Sequence, residues 1–122
     1  MTVPTSTSFD LETFRRGYEE WDIAGLLALY ADEVELIQID RDNPPSAPRV
    51  RHGKEMFKGM FEHCAGAGVK ATVENAVADE HRAAATVTCE FPGGRKGVAN
   101  GIFELEDARI VRERQVLSGD PN

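Results

Sequence analysis

The segment that most constrains the fold runs from Trp21 to Leu36, and its sequence is WDIAGLLALYADEVEL. Asp22 is suited to cap a helix, because its carboxylate can accept hydrogen bonds from the free backbone N–H groups of the first turn. Apolar residues recur at helical spacing after this cap and then give way to the strand-forming run VELIQI. We therefore predict a helix over about Ile23–Tyr30 and a strand over about Glu33–Ile39.

The rest of the chain divides into helices in the first half and strands in the second. One apolar stripe predicts a helix that begins near Ser8, and another predicts a helix that follows Gly53 and ends in the glycine-rich AGAG segment. Prolines exclude a helix or a central strand over Asp40–Arg49. Alternating patterns predict four more strands, over about Val69–Val77, Ala83–Phe91, Lys96–Leu105 and Arg109–Leu117. This order predicts an α+β domain over residues 8–119, after a flexible tail over residues 1–7.

Composition argues against several classes of partner. The net charge is −7 and no run of Lys and Arg exceeds two residues, which argues against nucleic acid and anionic membranes as partners. No apolar run is long enough to span a bilayer, and the N-terminus lacks the features of a secretory signal, so we expect a cytoplasmic protein. The two cysteines and three scattered histidines are too few for a metal site, and we expect no cofactor.

Two predicted strands place polar side chains on the same face as apolar ones. On the first strand, Gln38 and Asp40 follow Val34 and Leu36 on one face. On the last, Glu113 and Gln115 lie between Val111 and Leu117. Small residues on the neighbouring strands leave room beside them and favour a cavity over a filled core; they are Ala85, Ala99 and Gly101. The alternative is a solvated sheet edge, where Glu113 pairs with Arg95 or Arg112.

The ALYADEVEL segment and the helix start HGKEMF resemble the nuclear transport factor 2-like superfamily, in its SnoaL-like and ketosteroid-isomerase-like branch. The order of predicted elements fits that superfamily over about residues 9–117. The resemblance implies a cone, with three N-terminal helices packed on a curved, mostly antiparallel sheet. It also implies a homodimer formed through the sheet. Because one such cone hosts many chemistries, the resemblance does not define an activity.

The catalytic groups of ketosteroid isomerases are absent at the matching positions. Those enzymes use an Asp base, with a Tyr and a protonated Asp as the oxyanion hole. On this chain the base falls at Gln38, which does not titrate. The two oxyanion-hole positions fall at Phe14 and Phe103, which cannot donate a hydrogen bond. We therefore predict that the protein does not isomerise ketosteroids.

The resemblance to SnoaL-like cyclases implies one acid/base group in an apolar pocket, and Asp40 and Glu113 are the catalytic candidates. Burial would raise the pKa of either carboxyl towards neutrality, which suits acid/base catalysis. We expect an apolar small molecule as substrate and cyclisation, isomerisation or hydration as the reaction. The side chains expected to bind it are Phe14, Tyr18, Trp21, Gln38, Met60, Phe61, Phe103 and Gln115. The alternative is a non-catalytic protein that binds a small ligand in the same pocket.

The histidines and the segment before Gly53 give two weaker signals. The three histidines, at positions 52, 63 and 81, fall in or beside predicted turns and helix edges, so we expect them at the surface. Arg51 and His52 before Gly53 form a weak phosphate-loop signal. Because no glycine-rich motif and no predicted strand precedes it, we do not expect a nucleotide site there.

Overall fold

The structure is a computed structural model, and it describes residues 8–121. It contains three helices and six strands. In chain order they are α1 (Leu11–Glu19), α2 (Ile23–Leu27), β1 (Tyr30–Ile39), β2 (Arg49–His52), α3 (Lys54–Gly66), β3 (Lys70–Ala78), β4 (Arg82–Glu90), β5 (Lys96–Glu106) and β6 (Arg109–Gly119). The tail predicted over residues 1–7 lies outside the described residues. Within residues 8–121, no helix has the length and apolar character needed to cross a membrane.

Aspartate caps open the first two helices. Asp10 accepts a hydrogen bond from the Thr13 backbone N–H at 3.0 Å, so α1 begins at Leu11, slightly later than predicted. Asp22 accepts from the Gly25 backbone N–H at 3.1 Å and starts α2 where the sequence predicts it. These contacts satisfy donors that have no partner inside the helix.

The second helix is shorter than predicted, and the first strand is longer. The spacing of apolar residues predicts a helix through Tyr30, but α2 ends at Leu27 and Tyr30 is the first residue of β1. The Leu29 carbonyl accepts a hydrogen bond from the backbone N–H of Ile110 at 2.8 Å. Pairing with a distant strand therefore overrides the local helical pattern.

The six strands form one sheet in the order β2-β1-β6-β5-β4-β3. All neighbours pair antiparallel except β1 and β6, which are parallel. This pairing joins the first and last strands of the described residues and places Leu36 beside Glu113 and Gln38 beside Gln115. The predicted mostly antiparallel sheet is thus confirmed, and its parallel pair is central to the site described below.

Two details of the predicted architecture differ from the structure. The helices do not form one N-terminal block, because α3 follows β1 and β2 in the chain. The sequence predicts a loop through Arg49 and no strand before Gly53, but Arg49–His52 is a strand at the edge of the sheet. It is short and mostly charged, so it carries no alternating apolar signal.

The core lies between the helices and the inner face of the sheet, and aromatic rings dominate it. Phe14 of α1 packs on Phe103 of β5 with ring centroids 5.4 Å apart. Tyr30 of β1 packs on Phe57 of α3 at 4.3 Å. Edge-to-face and offset pairs of this kind add to the stability gained from burying their area.

Candidate active site

A cavity of about 120 Å³ lies between the inner face of the sheet and helices α1 and α3. Its wall is mostly apolar, and Glu113 and Gln115 of β6 supply carboxylate and amide groups. The helical side chains that line it are Tyr18, Met60, Phe61 and Cys64, joined by Trp21 from the α1–α2 connection. A wider cleft of about 550 Å³ lies at the β3–β4 and β5–β6 turns, but it is an open groove lined by exposed residues such as Glu80 and Asp107. The more enclosed cavity is therefore the candidate site.

Small residues on the sheet create the room in this cavity. Ala85 and Ala99 line it, as the sequence predicts, together with Gly101. The Phe103 ring lies against Gly101, where an added Cβ would come within 2.9 Å of the ring Cζ. The ring can occupy this place only because residue 101 has no side chain.

Glu113 is the most deeply buried acidic group in the described part of the chain, with an exposed fraction of 1%. Its Oε1 accepts a hydrogen bond from the Tyr30 hydroxyl at 2.7 Å, and its Oε2 accepts one from the Gln115 side-chain amide. Burial raises the pKa of Glu113 to about 7, although both hydrogen bonds act to lower it. The carboxyl can therefore hold or release a proton near neutral pH.

Arg95 and Arg112, the possible partners of Glu113 at a solvated sheet edge, lie away from it. Arg112 points to the opposite face of the sheet, where it binds Glu35 at 2.8 Å and Glu104 at 3.2 Å. The Arg95 guanidinium lies over the Phe91 ring, 4.8 Å from its centroid. The alternative in which Glu113 pairs with either arginine at a solvated edge is therefore wrong.

Two tyrosines connect Glu113 to the cavity wall, Tyr30 in the core and Tyr18 in the wall itself. The Tyr30 hydroxyl binds Glu113, and the Tyr18 hydroxyl interacts with that of Tyr30. Burial, and then the charge of Glu113, raise the pKa of both tyrosines well above the ordinary value. Both hydroxyls therefore keep their protons at neutral pH and can donate hydrogen bonds. Sequence reasoning missed Tyr30 because the local pattern placed it on a helix.

On the other side of Glu113, two amides lead to an arginine. The Gln38 Nε2 donates to Gln115 Oε1 at 3.2 Å, and the Arg51 Nη2 donates to Gln38 Oε1 at 2.9 Å. The same Arg51 nitrogen lies 3.2 Å from the Met60 sulfur. In the sequence, Arg51 belongs only to a weak phosphate-loop signal. Its place beside Gln38 follows from the pairing of β1 with β2, which the sequence did not reveal.

The structure does not bring Asp40 to this cavity. Its Oδ1 accepts hydrogen bonds from the backbone N–H groups of Asp42 and Asn43, each at 2.9 Å, and from the Asn43 side chain. These bonds lower the pKa of Asp40, with the Asn43 side chain contributing most. Asp40 follows the last residue of β1, where the chain turns, so its carboxylate organises the loop.

The other predicted site residues divide into cavity wall and supporting layer. The predicted residues that line the cavity are Tyr18, Trp21, Met60, Phe61, Phe103, Glu113 and Gln115. Phe14 is fully buried behind Phe103, and Gln38 contacts the cavity only through Gln115. The Trp21 Nε1 donates to the Val69 carbonyl at 2.8 Å, which fixes the indole at the wall.

The surroundings of the histidines and cysteines argue against a role as metal ligands or nucleophiles. His52, His63 and His81 are exposed, as predicted. Cys64 and Cys89 are free thiols at the cavity wall, and burial raises the pKa of both, which keeps them in the less reactive protonated form. Across residues 8–121, no three His, Cys, Asp or Glu side chains are grouped in a way that could hold a metal ion.

Residues 11–113 match the family model of the SnoaL-like domain. The chain belongs to the SnoaL-like domain family. The matched range of this SnoaL-like domain includes all three helices and most of the cavity wall, and it ends at Glu113 itself. No curated protein matches the chain in a sequence search.

Solved structures share the fold of this SnoaL-like domain at low sequence identity. A nuclear transport factor 2-like protein of unknown function from Mesorhizobium loti has a TM-score of 0.71 and 19% identity, with 89% of this chain and 88% of that chain covered. A proposed ketosteroid isomerase from Kribbella flavida has a TM-score of 0.70 and 16% identity, with 92% and 77% covered. A proposed polyketide cyclase from Pseudomonas putida has a TM-score of 0.63 and 18% identity, with 91% and 90% covered. These similarities establish the nuclear transport factor 2-like fold.

Proposed function

We propose that this SnoaL-like domain is a small-molecule enzyme in which Glu113 is the single acid/base group. The observation that carries the proposal is a buried carboxyl in the wall of an apolar cavity, with a pKa of about 7. At neutral pH such a group is present in both protonation states. It can accept a proton from one atom of a bound substrate and return it to another.

The chemistry that fits one such group is a proton shift beside a polar group of the substrate. The Glu113 carboxylate removes a proton from a carbon next to a carbonyl, and the protonated carboxyl then returns it elsewhere on the same molecule. Tyr18 lines the cavity and its hydroxyl keeps its proton. By turning that proton from the Tyr30 oxygen to the substrate oxygen, it can donate a hydrogen bond where negative charge develops. Isomerisation and cyclisation need only this exchange, and hydration uses the same base to activate water.

The size of the cavity favours a substrate of about one ring. A cavity of roughly 150 Å³ lined by apolar side chains holds benzene, whereas pockets for larger molecules usually span about 300–1,000 Å³. At about 120 Å³, the cavity of this protein falls in the smaller class. This supports the prediction that the protein does not isomerise ketosteroids, which have four fused rings.

The alternative function is the binding of a small ligand without turnover. The same apolar wall supports it, since few polar groups face the cavity. Binding and proton transfer must therefore be measured separately.

Trp21 allows binding to be measured directly, because it is the only tryptophan in the chain and it lines the cavity. We would titrate the protein with single-ring ketones and enones, such as cyclohexenone, and follow Trp21 fluorescence. Each compound that binds is then incubated in heavy water, and deuterium uptake beside its carbonyl is measured by mass spectrometry. This readout detects proton removal without knowledge of the final product.

The decisive variant is E113Q, which keeps the shape of the side chain and removes its acid/base function. We expect E113Q to bind the same compounds and to lose deuterium exchange by at least roughly 100-fold, the usual contribution of a general base. The matched control is D40N, which should retain both. Exchange that persists in E113Q would refute the role of Glu113. Binding without exchange in the unmodified protein would support the ligand-binding alternative.

A further inference from the structure

Three consecutive hydrogen bonds link Arg51, on the edge strand β2, to the buried Glu113. The Arg51 Nη2 donates to Gln38 Oε1 at 2.9 Å, the Gln38 Nε2 donates to Gln115 Oε1 at 3.2 Å, and the Gln115 Nε2 donates to Glu113 Oε2. All three bonds run in the same direction, from the cation towards the carboxyl.

Arg51 is the residue that makes this direction obligatory. A guanidinium has only donors, whereas a glutamine amide has an acceptor on one side and donors on the other. Gln38 must therefore turn its oxygen towards Arg51, which turns its nitrogen towards Gln115. The same constraint passes to Gln115, whose nitrogen is left facing Glu113. Without a donor at position 51, both amides could reverse together, and Gln115 would then present its oxygen to the carboxyl.

The two directions favour different protonation states of Glu113. An amide nitrogen facing Oε2 stabilises the ionised carboxylate, because it donates to the negative charge. An amide oxygen facing Oε2 would require Glu113 to hold a proton there and donate it. Chains of hydrogen bonds also polarise one another, so a charged donor at one end strengthens the last bond.

We propose that Arg51 is a positioning residue of this site: it sets the direction of the Gln38–Gln115 amide chain, so that Glu113 exchanges its proton only on the oxygen that faces Tyr30. This inference rests on the proposed function of Glu113 and assigns a role to a residue outside the cavity wall. The Tyr30 hydroxyl suits the exchanging side, because a hydroxyl can rotate to accept as well as donate. Its hydroxyl neighbour is that of Tyr18, a residue that lines the cavity.

A purely structural role explains Arg51 less well. Its Nε is buried and has no hydrogen-bond partner among the described residues, and burial lowers the pKa of its guanidinium. A buried donor without a partner costs free energy, and an apolar side chain would hold the edge strand without that cost. The contact with Gln38 is the feature that an apolar residue could not provide.

The groups around Glu113 allow its titration to be observed without overlap. The titratable side chains near it are Tyr18 from α1, Tyr30 from β1, Cys64 from α3 and Cys89 from β4, while β5 contributes Gly101 and Phe103. Burial raises the pKa of all four titratable groups, so they keep their protons at neutral pH. A carboxyl signal that titrates near neutral pH therefore reports Glu113.

The test is a carbon NMR titration of protein labelled at the glutamate side-chain carboxyl, with the Glu113 signal identified by its loss in E113Q. We expect R51M to raise the midpoint of Glu113 by several tenths of a pH unit or more, and R51K to restore it towards the original value. R49M removes the same charge from the same strand, but the side chain that donates to the Gln38 amide is that of Arg51. It should leave the midpoint nearly unchanged.

A second variant separates the amide chain from the charge alone. Q38L keeps Arg51 and interrupts the chain, so it should raise the midpoint as R51M does. It also keeps the proposal testable if R51M does not fold. An unchanged midpoint in Q38L, or equal shifts in R51M and R49M, would overturn the proposal. The titration needs no turnover. Its result can therefore be interpreted even if the deuterium experiment shows that the protein is not an enzyme.

Discussion

Glu113 and the surface acids of this protein have the same chemistry but opposite pKa shifts. At Asp10, Asp40 and Asp79, hydrogen bonds from nearby donors outweigh a small desolvation effect and lower the pKa. At Glu113 full burial outweighs two hydrogen bonds and raises it. Position in the fold, and not residue type, therefore decides which carboxyl can exchange protons near neutral pH.

The raised pKa of Glu113 predicts a specific dependence of stability on pH. Between its ordinary value of 4.5 and its folded value of about 7, the folded protein keeps the proton while the unfolded chain releases it. The free energy of unfolding should therefore fall as pH rises through this window, by on the order of 3 kcal/mol from this group alone, and then become level. Urea unfolding of the native chain and E113Q at several pH values measures the difference.

We expect E113Q to lack this fall, and its advantage over the native chain to grow with pH. D40N is the control, because the pKa of Asp40 is lowered and its effect lies at more acidic pH. It should leave the slope between these pH values unchanged. Parallel profiles for the native chain and E113Q would show that the burial of Glu113 does not govern its titration.

At the scale of elements, the spacing of apolar residues predicted most of the fold: every second residue in strands, and every third or fourth in helices. Strand alternation placed Glu113 and Gln115 on the same inner face, and small residues at Ala85 and Ala99 indicated the cavity. These features depend only on neighbours in the sequence. The type and order of nearly every element followed from the same local signals.

The missing parts of the site depend on pairing between distant strands. Tyr30 reaches Glu113 because β1 starts earlier than its local pattern indicates, held by backbone contact with β6. Arg51 reaches Gln38 because a short charged segment pairs with β1. The prediction that Asp40 lies in the pocket extends the strand alternation to a residue that follows the end of β1, where the alternation no longer holds. No local pattern contains this information.

The contact between α1 and α2 gives a prediction at the same scale. At Gly17 a Cβ would lie 2.9 Å from both Cβ and Cδ1 of Leu26, whose side chain is fully buried. We expect G17A to destabilise the protein by about 1–3 kcal/mol, because the helices must move apart. Thermal or urea unfolding measures this change.

Gly59 of α3 provides the matched control. It is exposed, and nothing lies within 4 Å of the position that a Cβ would take. G59A should raise stability by up to about 1 kcal/mol, since alanine favours a helix interior. If the two variants change stability equally, the close packing at Gly17 is not the cause.

At the scale of the whole molecule, the outer face of the sheet carries the exposed large apolar side chains found among residues 8–121. They are Val50, Val77, Ile102 and Val116. The strand registers place all four on the side opposite the cavity, beside the Glu35–Arg112–Glu104 ion pairs. This mixture of apolar and charged groups is typical of protein interfaces, and we propose that the face binds a second copy of the chain.

Light scattering at micromolar concentration tests this proposal. We expect a dimer for the native chain and a monomer for I102D, because the new carboxylate would be buried in the interface without a partner. S46D adds the same charge in the exposed loop after β1 and should remain dimeric. A native chain that is monomeric under these conditions would contradict the proposal.

The parallel pairing of β1 with β6 also has a consequence for when the site forms. Both contacts that define the carboxyl's surroundings on β1, Tyr30 with Glu113 and Gln38 with Gln115, join residues 83 and 77 positions apart. Such long-range pairings close late in folding, because much chain entropy is lost before they form. Of the six strands described, β6 is also the last to be synthesised. Because β6 lies between β1 and β5, a folding intermediate without β6 would have an incomplete sheet and no acid/base centre.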